Sequence, residues 1–171
     1  MQSLTVLVPS LLAVLVLLGL SAFFSSSESA IFSLSEEWID AVATEEASDG
    51  QTLQRLRDNP HRLLVTLLVG NNLVNIAITS IITLLVAQVV PPNATVVVAT
   101  VVVSVLILVF GEIVPKSYGL GHAQSWSLRV ARPISLIEKL LVPVVVMFDG
   151  VTRWLATLIG GDQGIEKPYE E

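Results

Sequence analysis

Two long stretches of the chain carry no charged side chain, residues 1–27 and 63–111. The second is interrupted only by Pro91, Pro92 and Asn93. A helix that crosses a bilayer needs about 20 predominantly apolar residues, so the pattern predicts three membrane spans, at about 4–25, 63–90 and 94–114. The two prolines cannot continue a helix, and Asn93 is suited to cap the next one, which predicts a tight reversal between the second and third spans. Residues 28–58 are acidic and spaced as helix. Ser35 is placed to cap a helix that opens with Glu36 and Glu37, and residues 48–51 read as a turn, so a short helical hairpin is expected beneath the membrane.

A fourth apolar segment, about 134–159, does not fit as a span. Its charge-free centre, residues 140–148, covers only about 14 Å as helix. Crossing would also carry Arg153 and Lys167 to the far side. The expectation is an amphipathic helix in the interface, bent at Pro143, with Arg153 and Trp154 at the headgroups, wrapped like a belt around the three spans. The fold class is therefore an all-α membrane protein in which residues 1–160 form one transmembrane domain and 161–171 begin a linker.

Composition narrows the function. Charged residues make up 14% of the 171 and hydrophobic ones 53%, against about a quarter charged in soluble domains; lipid is the solvent. The net charge of −6 argues against nucleic acid as a partner. Without cysteine there is no disulfide and no thiolate metal site, and only His61 and His122 could supply imidazole. Lysine and arginine lie between spans one and two and after span three. The positive-inside rule then puts the N-terminus outside and the hairpin and C-terminus in the cytoplasm.

The polar residues inside the spans share a depth. At about 1.5 Å per residue, Ser21 lies about 26 Å below the start of span one, Asn71 about 28 Å below the outer end of span two, and Glu112 about 27 Å below the start of span three. Spacing adds faces: Ser21, Ser25 and Ser29 recur every four residues, as do Asn71 and Asn75, with Gly70 beside them. Pro115 removes the amide that would bond the Gly111 carbonyl, which predicts a kink or a π-type widening there. Hydroxyls, amide oxygens, a carbonyl and one carboxylate form the shell a hard divalent cation takes. Plainer roles stand beside this one: serines let helices pack closely, asparagines hydrogen-bond between helices, and Glu112 can pair with Lys116 or relay protons.

The stretches "LSAFFSSSESAIFSLS" from Leu20, "NPHRLLVTLLVGNNLVNIA" from Asn59 and "FGEIVPKSYG" from Phe110 resemble the transmembrane domain of the CorC/CNNM family of magnesium transporters. The resemblance implies a homodimer in the plasma (inner) membrane that transports Mg2+ outward, with Na+ entry as the driving force, and not an enzyme. It implies a dehydrated Mg2+ held by Ser21, Ser25, Asn71, Asn75, Gly111 and Glu112, with Ser26, Glu28 and Asn72 left open. In that family a nucleotide-sensing CBS-type domain follows, so the chain is expected to be truncated before it. The rivals are a non-transporting Mg2+ sensor or membrane scaffold, and a proton-coupled carrier that uses Glu112.

Overall fold

The computed structural model describes residues 2–44 and 48–158. The expected linker at 161–171, the last residue of the expected belt, and Glu45 and Glu46 of the acidic loop lie outside them. Every regular element among the described residues is helical, and three helical stretches are long and apolar enough to cross a membrane: Thr5–Ser33, Pro60–Val86 and Pro92–Gly121.

Helix α1, Gln2–Ser33, does not end near residue 25 but runs through the serine cluster. The serines continue it because their protons turn back onto the helix: Ser26 Oγ donates to the Ala22 carbonyl at 2.7 Å and Ser27 Oγ to that of Phe23 at 2.6 Å. Spent this way, a hydroxyl no longer competes for the backbone bonds ahead of it. Helices α2, Glu36–Thr44, and α3, Ser48–Arg57, form the hairpin. Ser35 caps α2 by accepting from the Trp38 amide at 3.4 Å. Residues 48–51 are the first turn of α3 rather than a reversal. Gly50 there faces α2 so closely that a Cβ would stand 2.6 Å from the Val42 carbonyl oxygen.

Helix α4, Pro60–Val86, starts with proline at its first position and is capped by Asn59, whose side chain accepts from the Arg62 amide at 3.2 Å. It stops at Val86, earlier than the expected 90. Helix α5, Pro92–Leu106, is capped by Pro91, and Asn93 lies inside its first turn without a capping bond. Pro92 claims the first helical position, where its missing amide costs nothing, and this leaves Asn93 one step too late to cap.

The widening expected near Pro115 is present. Residues Ile107–Ile113 form a π-helical segment, and the Val114 amide bonds the Val109 carbonyl, five residues back. Helix α6, Val114–Gly121, completes the third span. An α-helical ladder through Pro115 would drive the proline ring against the carbonyl four residues earlier, and the wider turn relieves it.

The belt is longer than expected. Helix α7, Ala123–Leu158, begins well before residue 134 and runs unbroken through Pro133 and Pro143. It packs against α1, α3 and α4. Polar clasps flank Pro133: Arg132 pairs with Asp49, Arg55 donates to the Ser135 hydroxyl, and Arg62 Nε lies 2.7 Å from Glu138 Oε1. These contacts, with buried Val130, Ala131 and Ile134, outweigh the backbone bonds the prolines omit.

Packing is uneven along the bundle. The best-buried apolar side chains, among them Ile31, Leu53, Leu56, Leu63 and Ile134, gather at the hairpin end. At the other end Leu15, Leu84 and Val96 are about two-thirds exposed (65, 68 and 71%), a surface suited to lipid and not to water. Between the ends, α6 touches the backbone of α1: a Cβ on Gly119 would stand 2.2 Å from the Ser26 carbonyl oxygen.

This contact generates a paired test. Gly119→Ala should lower thermal stability by about 1–3 kcal/mol or more, since backbone cannot yield as a side chain does. Gly121→Ala, where a Cβ meets nothing within 4 Å, should leave it near wild type. Equal melting temperatures for the two variants in detergent would show that α6 does not dock on α1 in this way.

Candidate functional site

Polar residues of the first two spans meet at Ser21, and the third span brings Gly111 against it. Its Oγ lies 3.1 Å from Asn71 Oδ1 and 2.9 Å from Asn75 Oδ1. The two asparagines are one turn apart on α4, so both side chains reach the same point on α1. From the third span comes Gly111, buried in the π segment, where a Cβ would stand 2.7 Å from Ser21 Oγ. Only a residue without a side chain lets the segment's backbone come this close. Gly70 plays the matching part on α4, since a Cβ there would meet the Phe24 ring at 2.6 Å. Ser21 and Gly111 are buried, and Asn71, Asn75 and Glu112 are half-buried.

The proton count at Ser21 is informative. A hydroxyl has one proton, yet two amide oxygens face it within hydrogen-bond distance. The single proton therefore serves one of them or is shared weakly between both. Turning one amide would supply a donor; a cation among the three oxygens would engage them all without any turn. At the 2.0–2.1 Å metal–oxygen distance of magnesium, adjacent ligands of an octahedron stand about 2.8–3.0 Å apart, close to the two spacings found.

Ser25 lies one turn further along the same face of α1. It is 1% exposed, and its hydroxyl has no hydrogen-bond partner. Leaving such a group unpaired costs about 1–3 kcal/mol, so its orientation calls for a ligand. Glu112 follows Gly111 directly and makes no ion pair or hydrogen bond among the described residues. No group of three or more His, Cys, Asp or Glu side chains able to hold a metal is present among the described residues. Any cation here is held mainly by neutral oxygens.

The structure also sorts the neighbours. Lys116 does not pair with Glu112; its Nζ lies 3.3 Å from Glu28 Oε2 on α1. The widened turn ahead of Pro115 moves Lys116 off the face it would share with Glu112 in a regular α-helix. Ser26 is fully engaged, donating to the Ala22 carbonyl and accepting from Trp126 Nε1 at 3.1 Å, and Asn72 is exposed. Trp126 and Gly119 are the neighbours that sequence reasoning did not single out. Gly119 had a signal, since Gly111, Pro115 and Gly119 recur every four residues and all three are buried. Trp126, on a helix expected to begin only at 134, had none.

Comparisons with known proteins bear on the family of the chain. Residues 11–171 match the family model described as the cyclin M transmembrane N-terminal domain, CNNM. A chloroplast DUF21 domain-containing protein of Arabidopsis thaliana is 36% identical over 168 residues, covering 98% of this chain and 25% of that protein. The UPF0053 inner membrane protein YfjD of Escherichia coli is 30% identical over 145 residues, covering 82% of this chain and 33% of its own length. A UPF0053 protein of Haemophilus influenzae is likewise 30% identical, over 85% of this chain and 34% of its own. The chain thus spans about a quarter to a third of these relatives.

The pairing of Lys116 with Glu28 is open to measurement. Both side chains are about two-fifths exposed (43 and 40%), so screening keeps the pair's worth at about 1 kcal/mol or less. Lys116→Gln and Glu28→Gln should each shift stability by no more than that, and the double variant by no more than the larger single effect. Additive losses in thermal unfolding would separate the two groups and return Lys116 to the list of partners for Glu112.

Proposed function

The chain belongs to the cyclin M (CNNM) transmembrane-domain family, membrane proteins of the CorC/CNNM metal-transporter group, and from that premise we propose that it is the ion-carrying module of a magnesium transporter. The observation that carries the reading is the Ser21 hydroxyl set against two amide oxygens. Ser21, Asn71 and Asn75 supply neutral oxygens, Ser25 a hydroxyl that nothing else engages, Gly111 its carbonyl, and Glu112 the one negative charge. The cargo is a dehydrated Mg2+, since six oxygens of this kind replace its water shell. A divalent ion against a single carboxylate keeps a net positive charge, so binding is weak enough for release.

In this reading the module sits in the plasma (inner) membrane with the hairpin on the cytoplasmic side, works as a homodimer, and exports Mg2+ against Na+ entry. A CBS-type regulatory domain would act on it through α7. Transport is preferred to a proton relay because Glu112 makes no ion pair among the described residues and directly follows Gly111, which packs against Ser21.

Two measurements test the proposal. Glu112→Gln should abolish calorimetrically measured Mg2+ binding, and Asn75→Ala should weaken it by about tenfold or more, the cost of a lost ligand to a charged partner. Both proteins should remain folded. In liposomes, Mg2+ flux should be present and should rise with an opposing Na+ gradient. Binding without flux would make the protein a sensor or scaffold; unchanged affinity in Glu112→Gln would remove Glu112 from the site.

A further inference from the structure

Most hydroxyls of the described helices turn their protons onto their own backbone. Ser27, Ser33, Thr79, Thr83, Thr100 and Ser117 each donate to a carbonyl three or four residues back. Three buried hydroxyls do not: Ser25, Thr66 and Ser127 have no hydrogen-bond partner, although they are only 1, 0 and 0% exposed. They sit on α1, α4 and α7, three helices that all pack against one another.

Contacts between the helices set the three at neighbouring levels of the bundle. Ser21 faces Asn71 and Asn75, and Phe24 lies against Gly70, so α1 and α4 run antiparallel. Thr66, four residues before Gly70, then lies about one turn closer to the hairpin, beside residues 25–29 of α1. Ser127 follows Trp126, whose indole Nε1 donates to Ser26 Oγ at 3.1 Å. The three residues therefore lie at neighbouring levels of the bundle, on the hairpin side of Ser21. Three unrelated helices do not leave buried oxygens unpaired at neighbouring levels without a reason.

The contact between Trp126 and Ser26 resembles a latch. The indole donates across the gap to α1 and is backed by the edge of Tyr118 at 5.5 Å, which in turn stacks on His122 at 4.4 Å. Helix α7 is not among the three stretches long and apolar enough to span the membrane, so it can shift against α1 without moving a spanning helix.

We infer that the cation's route between the Ser21 site and the hairpin side of the membrane runs through the seam of α1, α4 and α7, lined by Ser25, Thr66 and Ser127 and latched by Trp126 on Ser26. This rests on the transport reading. With the latch closed the three oxygens face no partner; with it open they are ligands for a hard cation or for the water that travels with it. Ser25, one turn from Ser21, hands the ion from the site to the seam. The unpaired oxygens bias the seam toward opening, and the indole hydrogen bond opposes them.

The two halves of the device predict effects of opposite sign. Thr66→Val with Ser127→Ala removes orphan oxygens at nearly constant shape. It should raise the melting temperature, leave Mg2+ affinity within about twofold, and slow Mg2+ flux in liposomes by about fivefold or more. Trp126→Phe keeps the ring and loses the donor, and should speed flux by about threefold or more. In this cysteine-free chain, a Ser127→Cys variant should react with a membrane-impermeant thiol reagent from the hairpin side alone, and faster when Trp126→Phe is added. Should Trp126→Phe fold poorly, Ser26→Ala removes the acceptor and should give the same gains. Wild-type flux with an inert cysteine at 127, and with Thr66→Val/Ser127→Ala at wild-type rate, would overturn the route alone. No flux from the wild type would overturn the transport reading itself.

Discussion

One serine hydroxyl, with a single proton and three helices pressed around it, is the constraint on which this bundle depends. For Ser21 to reach both Asn71 and Asn75, α1 and α4 must meet with a fixed register and rotation. For the third span to close the site, its backbone must come within reach of Ser21, which demands glycine at 111. A regular helix through Pro115 would conflict with that approach, and the π segment Ile107–Ile113 is the resolution. π turns are rare and occur mostly at functional sites. Here the widening has an identifiable cause in proline and an identifiable result in the placement of Gly111 and Glu112.

Packing around the site follows the solvent on each side. Lipid tails are as apolar as leucine, so apolar surface alone does not drive spanning helices together. Accordingly, the apolar ends of the spans away from the hairpin expose much of their surface, although Val14, Ile78 and Ile82 are buried, and the closest backbone approaches fall at small residues such as Gly70 and Gly111. At the hairpin end water is near, and ordinary burial works: Leu53, Leu56, Leu63 and Ile134 form a dense core, tied by Arg62–Glu138 and Arg132–Asp49. The site stands at the boundary between the two regimes. One side of it is anchored, and the other is free to adjust.

Much of this was legible from periodicity alone. Three spans follow from three apolar runs, and the common depth of Ser21, Asn71 and Glu112 follows from rise per residue, because long apolar helices leave little freedom for anything else. The four-residue spacing of Asn71 and Asn75 gave the shared face. Legibility failed where side-chain and backbone hydrogen bonding decided the outcome. The first span was expected over about 4–25, but Ser26 and Ser27 bond their own helix, which runs on to Ser33. Asn93 looked like a cap, but Pro92 took the first position. Pro133 looked like the start of the belt, but contacts at Arg132, Ser135 and Glu138 carry α7 through it from Ala123. Tertiary pairs such as Lys116–Glu28 join residues far apart in the chain and leave no local pattern.

On the transport reading proposed above, the division of charge at the hairpin end completes the picture. Two carboxylates, Glu28 and Glu112, and one ammonium, Lys116, lie on α1 and the third span. Had Lys116 taken Glu112, the site would have been a neutral pair with nothing to attract a cation. Had both carboxylates faced Ser21, a divalent ion would have been fully neutralised and slow to leave, and the empty site would have held two like charges close together. Lys116 instead neutralises Glu28, at a position where both remain partly exposed. That leaves Glu112, next in the chain to Gly111, without an ion pair among the described residues. On the proposed reading, one uncompensated carboxylate would draw a cation in without holding it fast, the electrostatic condition for a site that empties as readily as it fills.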